Sequence, residues 1–243
     1  MSDARFLHGH RGRLVLFLLS ALGVFATMYV IYSAIDTLRQ LEVIESERDQ
    51  WQRPAEVLQA LDLRPGNIVV DLGSGSGYFA LKLSPIVGKQ GQVLAVDIRK
   101  LSLSFLGIRA LLSQKRNIRV VLSDEDDPRV PPGAVDAVLI ANTFHELRDP
   151  KVILDHVSKS LRPGGRLVIV DRGPRQGGSH AHEMDRAFVE TELQQAGFEI
   201  VDSQDHFIDR PGDDPWWLTV ARKRHCIPPQ PTKETSASCL EHP

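Results

Sequence analysis

Apolar positions along this chain fall into three regimes. From Leu14 to Ile35 they run without a charge for 22 residues, rich in Leu, Val, Phe and Ala and bounded by Arg13 and Asp36. A helix rising about 1.5 Å per residue over that length crosses the roughly 30 Å hydrocarbon layer of a bilayer. Tyr29 and Tyr32 lie near its far end, where interfacial rings are favoured. The run exceeds the h-region of a signal peptide and lacks the polar face of a core helix. It predicts a retained transmembrane helix over 14–35, after a short basic segment, 1–13. In the second regime, 36–62, Leu38, Leu41, Val43, Ile44 and Trp51 form a partly apolar face among charges, and Pro54 starts a new turn. This helical lead-in ends at the stop signal Arg64-Pro65-Gly66.

The third regime, 63–224, alternates two periods. Short β-branched runs predict strands at Ile68–Val70, Val93–Val96, Ile118–Leu122, Val135–Ala141 and Leu167–Val170. Between them, helical spacing predicts helices at Tyr78–Val87, Leu103–Leu112, Val152–Leu161 and Met184–Ala196. Glu199–Val201 and Trp217–Ala221 read as an antiparallel pair. Such alternation implies right-handed β-α-β units, hence an α/β domain with a mainly parallel sheet and helices on both faces. The segment 225–243, with Pro228, Pro229 and Pro231, has too little apolar content to fold and predicts a disordered tail.

Charge and cysteines narrow the picture little. Lys plus Arg (29) nearly balances Asp plus Glu (31), so nothing electrostatic calls for a nucleic-acid partner. Cys226 and Cys239 both lie in the tail without metal-ligand spacing.

The chemistry concentrates in Val69-Val70-Asp71-Leu72-Gly73-Ser74-Gly75-Ser76-Gly77-Tyr78. A buried strand reaches an acidic residue, then a glycine turn that opens a helix. Glycines belong where a backbone takes unusual dihedrals and a ligand approaches its amides. A dinucleotide fingerprint needs its third glycine where Tyr78 stands, and that side chain would crowd a pyrophosphate. Asp71 beside the turn suits a cationic ligand better than an anionic one. The next strand ends in Asp97, twenty residues past Gly77, where a carboxylate can accept both ribose hydroxyls of an adenosyl group.

From about Arg48 to Lys223 the chain resembles the class I S-adenosylmethionine-dependent methyltransferases, near the ubiquinone/menaquinone and arsenite methyltransferase-like groups. Besides the glycine turn, Arg48-Asp49-Gln50-Trp51-Gln52-Arg53-Pro54, Val96-Asp97-Ile98, Val135–Glu146 and Leu161–Leu167 carry the resemblance. It implies a Rossmann-like, seven-stranded sheet with the last strand antiparallel, and S-adenosylmethionine across the carboxyl ends of the first strands. By the same resemblance, Asp71, Gly73, Gly75 and Gly77 hold the methionine part, Asp97 the ribose, and Ile98 presses on the adenine. From the acidic loop Asp124-Glu125-Asp126-Asp127, Asp126 receives the adenine amino group. The tip Asn142-Thr143-Phe144-His145-Glu146 lies beside the transferable methyl, with Asn142 counted among the cofactor contacts.

Methyl transfer from a sulfonium is an in-line displacement, so the protein mainly aligns the acceptor and removes its proton if there is one. His145, with an ordinary pKa near 6.5, is the candidate base, and a histidine pinning its loop is the competing reading. His182, in Ser179-His180-Ala181-His182, is a second candidate at the substrate; His-x-His with no nearby cysteine or convincing carboxylate predicts no metal site. The expected acceptor is small or lipid-like, used beside a membrane. Two rivals are a nicotinamide-dependent oxidoreductase, whose superficial reductase-like pair, Tyr78 and Lys82, lies in the first helix against the glycine turn and not beside a substrate pocket, and a non-catalytic cofactor-binding membrane protein. Arg5, Arg11 and Arg13 before the apolar run against Arg39 and Arg48 after it would place the domain outside by the positive-inside rule. The need for a cytoplasmic cofactor outweighs that margin and predicts the cytoplasmic side.

Overall fold

The structure, a computed structural model, describes residues 3–174, 184–209 and 215–224. The tail with Cys226 and Cys239, and the loop with His180 and His182, lie outside the described residues.

One helix, α1, runs unbroken from Asp3 to Trp51, through the borders that composition suggests near residues 13 and 35. No proline precedes Pro54, so nothing removes a hydrogen bond along its length. By length and composition it is the described helix able to cross a membrane. Large apolar side chains from Leu14 to Ile35 are exposed along it. Two hydroxyls in this stretch turn back onto the helix: Ser20 Oγ donates to Phe17 O and Thr27 Oγ1 to Gly23 O, both at 2.8 Å. Such back-bonding keeps a polar group satisfied where water is absent.

Contacts divide the chain between Gln52 and Arg53. The short helix α2, Pro54–Ala60, therefore groups with the domain, ten residues before the compositional border at 62/63. Pro54 stands at its first turn, where a missing N–H costs nothing. Val57 is fully buried, and Arg166 donates to Ala60 O at 3.0 Å and to the Asp62 carboxylate at 3.1 Å.

The domain is built on β1 (Ile68–Leu72), β2 (Gln92–Asp97), β3 (Ile118–Leu122), β4 (Val135–Ala141), β5 (Leu161–Arg172), β6 (Phe198–Ile208) and β7 (Trp216–Lys223). They form one seven-stranded sheet in the order β3-β2-β1-β4-β5-β7-β6. The first five are mutually parallel, and β7 runs antiparallel between β5 and β6. Helices α3 (Tyr78–Val87), α4 (Lys100–Leu112), α5 (Pro150–Ser160) and α6 (Arg186–Gln195) connect them. Alternation sorts the strand side chains. Val70, Leu72, Leu94, Val96, Ile140 and Ile169 share one core with residues of α5 and α6. α3 and α4 pack on β1, β2 and β3.

β6 is longer than its apolar run predicts. Its exposed residues from Val201 to His206 are mostly polar, yet pairing with β7 carries the strand on to Ile208 through two register shifts. β1 and β4 leave the sheet centre in opposite directions of strand order. Their carboxyl ends flank a crevice, the usual ligand position in such sheets.

Candidate active site

Three glycines shape the turn after β1. Gly73, Gly75 and Gly77 all take left-handed φ values of 79°, 52° and 97°, which only glycine adopts without strain. They are not equivalent. A Cβ on Gly73 would collide with the Thr143 side chain, and one on Gly77 with Leu106. A Cβ on Gly75 would meet nothing within 4 Å, so this backbone faces open space. The turn is sewn to β2: Gly73 and Ser74 N–H both donate to Val96 O, at 2.8 and 3.0 Å.

Asp97 completes the stitching. One carboxylate oxygen accepts the Gly75 N–H at 2.8 Å and the other the Arg99 N–H at 2.8 Å. Its side chain is 2% exposed, with the Arg99 guanidinium 3.4 Å away. Asp71 is buried one residue before the end of β1. Together these groups border a cleft of about 290 Å³ lined by Gly73, Asp97, Ile98, Asp124, Glu125 and Thr143, among others. Ile98 is half exposed on its wall. The cradle fits S-adenosylmethionine: an open backbone turn for the amino-acid part, a buried strand-tip carboxylate for the ribose, and an aliphatic wall for the base.

The acidic loop is placed differently from the expectation. Asp124 and Glu125 line the cleft, whereas Asp126 is exposed outside its lining. Arg129 holds Asp124 at 2.6 Å, and Arg148 holds Glu125 at 3.0 Å. Asn142 also stands back from the lining. It takes a left-handed φ of 54°, and its side-chain oxygen accepts from Arg172 Nε at 3.0 Å. Thr143, the next residue, faces the cleft instead.

His145 sits in a 3-10 helix, Phe144–Glu146, just past β4. Its Nδ1 lies 2.7 Å from Asp171 Oδ1, and its backbone N–H donates to Asp171 Oδ2 at 3.1 Å. Asp171 is fully buried near the tip of β5. The hydrogen bond to Asp171 raises the imidazole pKa above its ordinary value, against the opposing effect of burial. The ring is 4% exposed and its Nε2 is 3.9 Å from Glu146 Oε1. Glu146, half exposed, does line the cleft. His145 is thus beside the site, behind its wall. His182 lies outside the described residues.

Asp171 is the partner of His145 that sequence reading missed. The signal was there: Val170-Asp171 ends β5 as Val70-Asp71 and Val96-Asp97 come at the ends of β1 and β2. The Tyr78 and Lys82 pair has another explanation. Lys82 Nζ sits 4.7 Å over the buried Tyr78 ring on α3, and neither residue lines the cleft.

Residues 70–169 match the methyltransferase-domain family. The ubiquinone/menaquinone biosynthesis C-methyltransferase UbiE of Coxiella burnetii is 28% identical over 150 residues, 61% of this chain and 57% of that protein. UbiE of Azotobacter vinelandii is 30% identical over 123 residues, 50% of this chain and 47% of that one. The chain thus spans about half the length of the curated relatives it matches. An S-adenosylmethionine-dependent methyltransferase from Aquifex aeolicus superposes with a TM-score of 0.63 at 26% identity, over 73% of this chain and 92% of that one. The [4+2]-cyclase SpnF, 18% identical, shares the fold, with a TM-score of 0.63 over 71% of this chain and 80% of its own. Strand order, glycine turn, strand-tip carboxylates and these likenesses agree: residues 70–169 carry a methyltransferase domain, similar to the class I S-adenosylmethionine-dependent methyltransferases.

Proposed function

We propose that the domain transfers the methyl group of S-adenosylmethionine to a small or lipid-like acceptor beside a membrane. The observation that carries this reading is Asp97, a buried strand-tip carboxylate bound to Gly75 N–H on the rim of the cleft. Bound there, the cofactor supplies an electrophilic methyl on a sulfonium. The chain's own residues bind and align. Asp71 and the turn of Gly73, Gly75 and Gly77 take the methionine part, Asp97 the ribose hydroxyls, and Ile98 a face of the adenine. Asp124 and Glu125, already on the wall, are better placed than Asp126 for the adenine amino group. Asn142 sets the course of the β4 tip through Arg172 rather than touching the cofactor.

His145 is assigned first to holding the Thr143–Glu146 wall against β5 through Asp171. Proton removal is the second reading, favoured by one feature. With Nδ1 turned to Asp171, Nε2 lies on the side of the cleft-lining Glu146, 3.9 Å from its Oε1. His182 remains a candidate for substrate contact.

The acceptor class is supported by the apolar part of the wall, Pro128, Leu147 and Ile153, and by the quinone-biosynthesis names of the relatives. A quinone-type ring is the first acceptor to test. Membrane attachment is supported by the length and apolarity of α1, and the cytoplasmic side by the source of the cofactor. SpnF, named for a cyclisation, shows that this fold alone does not commit a chain to methyl transfer. Methyl-labelled S-adenosylmethionine, incubated with the full chain and membrane extracts and followed by mass spectrometry, makes the test. Label should enter a small molecule or lipid. Tight cofactor binding with no labelled product would favour a binding protein.

A further inference from the structure

Helix α4 is apolar on two opposite sides. Leu103, Leu106 and Ala110 are buried toward the sheet. On the far side Leu101, Ile108, Leu111 and Leu112 are exposed, Leu101 by 84% and Leu111 by 76%. At 3.6 residues per turn these four fall within an arc of about 100°. Val120 and Leu122 of the edge strand β3, against which α4 packs, are exposed as well.

The charge around this stripe has one sign. Between Ile98 and Ser123 there is no Asp or Glu, but there are Arg99, Lys100, Arg109, Lys115, Arg116 and Arg119. Arg109 is buried and donates to Ser76 O at 2.6 Å, and Arg99 turns to Asp97 and Glu146 at the cleft; Lys100, Lys115 and Arg116 bracket the stripe along the chain. Past the C-terminal end of α4, Asn117 forms a clasp. It accepts from Ser84 Oγ at 2.6 Å and donates to Ser84 O and Gly88 O at 2.8 and 2.9 Å. That clasp gathers Lys89, Lys115 and Arg116 around a single cleft of about 960 Å³. The nearest acidic run, Asp124–Asp127, follows the opposite end of β3, with Asp124 paired to Arg129 and Glu125 to Arg148.

A contiguous aliphatic stripe on a soluble surface marks an interaction site. Flanked by cations, it matches a helix lying in a lipid interface, apolar side in the acyl boundary and charges at the headgroups. We propose that the α4–β3 face docks onto a bilayer surface containing anionic lipids, with Lys89, Lys115 and Arg116 taking headgroup phosphates. The proposal rests on the reading that α1 anchors the chain, which keeps the domain at high effective concentration beside the bilayer.

The test uses the full chain with Cys226→Ser, Cys239→Ser and Ser104→Cys, an environment-sensitive dye on that cysteine, and reconstitution into vesicles. The vesicles are phosphatidylcholine alone or mixed with phosphatidylglycerol. Flotation reports the anchor, and the dye reports α4. With phosphatidylglycerol the dye emission should shift to the blue and be quenched by brominated lipid. High salt should reduce that quenching at least about threefold. Adding Ile108→Glu and Leu111→Glu, both at exposed positions, should abolish it. A chain that floats while its dye stays water-like on both vesicles overturns the docking face and leaves the anchor standing. A chain that floats on neither overturns both. A blue-shifted dye in detergent alone, with the mass of a dimer, assigns the stripe to a second copy and overturns the lipid.

Discussion

Asp171, buried near the tip of β5, holds both the ring and the backbone of His145: Oδ1 is 2.7 Å from Nδ1, and Oδ2 accepts the His145 N–H at 3.1 Å. Removing one partner of such a buried pair leaves the other unsatisfied, so Asp171→Ala should cost about 3–5 kcal/mol of stability. The pair also predicts a pH dependence. A histidine whose folded pKa is raised stabilises fully below its unfolded value, and that contribution fades as pH rises through the raised folded value. Melting temperatures of the wild type should therefore carry a loss on going from mildly acidic to alkaline pH that Asp171→Asn lacks. Parallel curves for the two proteins would contradict the pairing.

The same residue separates alignment from proton transfer. If His145 mainly holds the wall, His145→Asn should stay within about tenfold of wild-type turnover, with an unchanged pH profile. A general base instead requires a loss of ~10²–10⁴-fold and a rate that rises with pH through the raised pKa. His182→Ala serves as the comparison: a substrate contact should show mainly in KM.

Gly73 and Gly75 predict opposite outcomes for one chemical change. Gly73→Ala adds left-handed strain of about 1–2 kcal/mol and overpacking against Thr143 of about 1–3 kcal/mol. Its melting temperature should fall clearly. Gly75→Ala carries only the strain, yet its Cβ enters the space the cofactor approaches. It should melt between Gly73→Ala and the wild type and bind S-adenosylmethionine at least about tenfold more weakly, because the backbone approach is blocked. Equal affinity in both proteins would move the cofactor away from this turn.

Deleting residues 1–35 should release the protein to the soluble fraction with cofactor binding preserved, because the contacts divide at Gln52/Arg53 and the motifs follow that point. Fractionation and calorimetry on the truncated chain check both halves of the statement. A truncated chain that stays in the membrane fraction assigns the attachment elsewhere.

Much of this was legible in the residues, for reasons that also explain the gaps. Strands with two buried faces announce themselves as apolar runs, and β1, β2, β4 and the centre of β5 were read that way. β6 escaped beyond Val201 because its outer half is polar and is held by pairing with β7. The border at 35/36 is a change of composition, not of backbone, so α1 runs through it unbroken. Asp71 and Asp97 were readable as carboxylates ending apolar strands, and Asp171 obeys the same pattern unnoticed. Four consecutive acidic positions carry no period, so only the chain path distinguishes Asp124 and Glu125 from Asp126.

On the function proposed above, Asp97 marks the S-adenosylmethionine site. Calorimetry of the full chain in detergent, titrated with S-adenosylmethionine and separately with NADH, tests it most directly, with Asp97→Ala and Asp97→Asn alongside. A ribose contact to a charged acceptor contributes about 1.5–3 kcal/mol per hydrogen bond at most. Thermal melts identify any variant whose glycine turn has collapsed, since Asp97 also holds Gly75. The full chain should bind S-adenosylmethionine and not NADH, at least about tenfold more weakly in both variants while they remain folded. Unchanged affinity in a folded Asp97→Ala protein, or preferential binding of NADH, would contradict it.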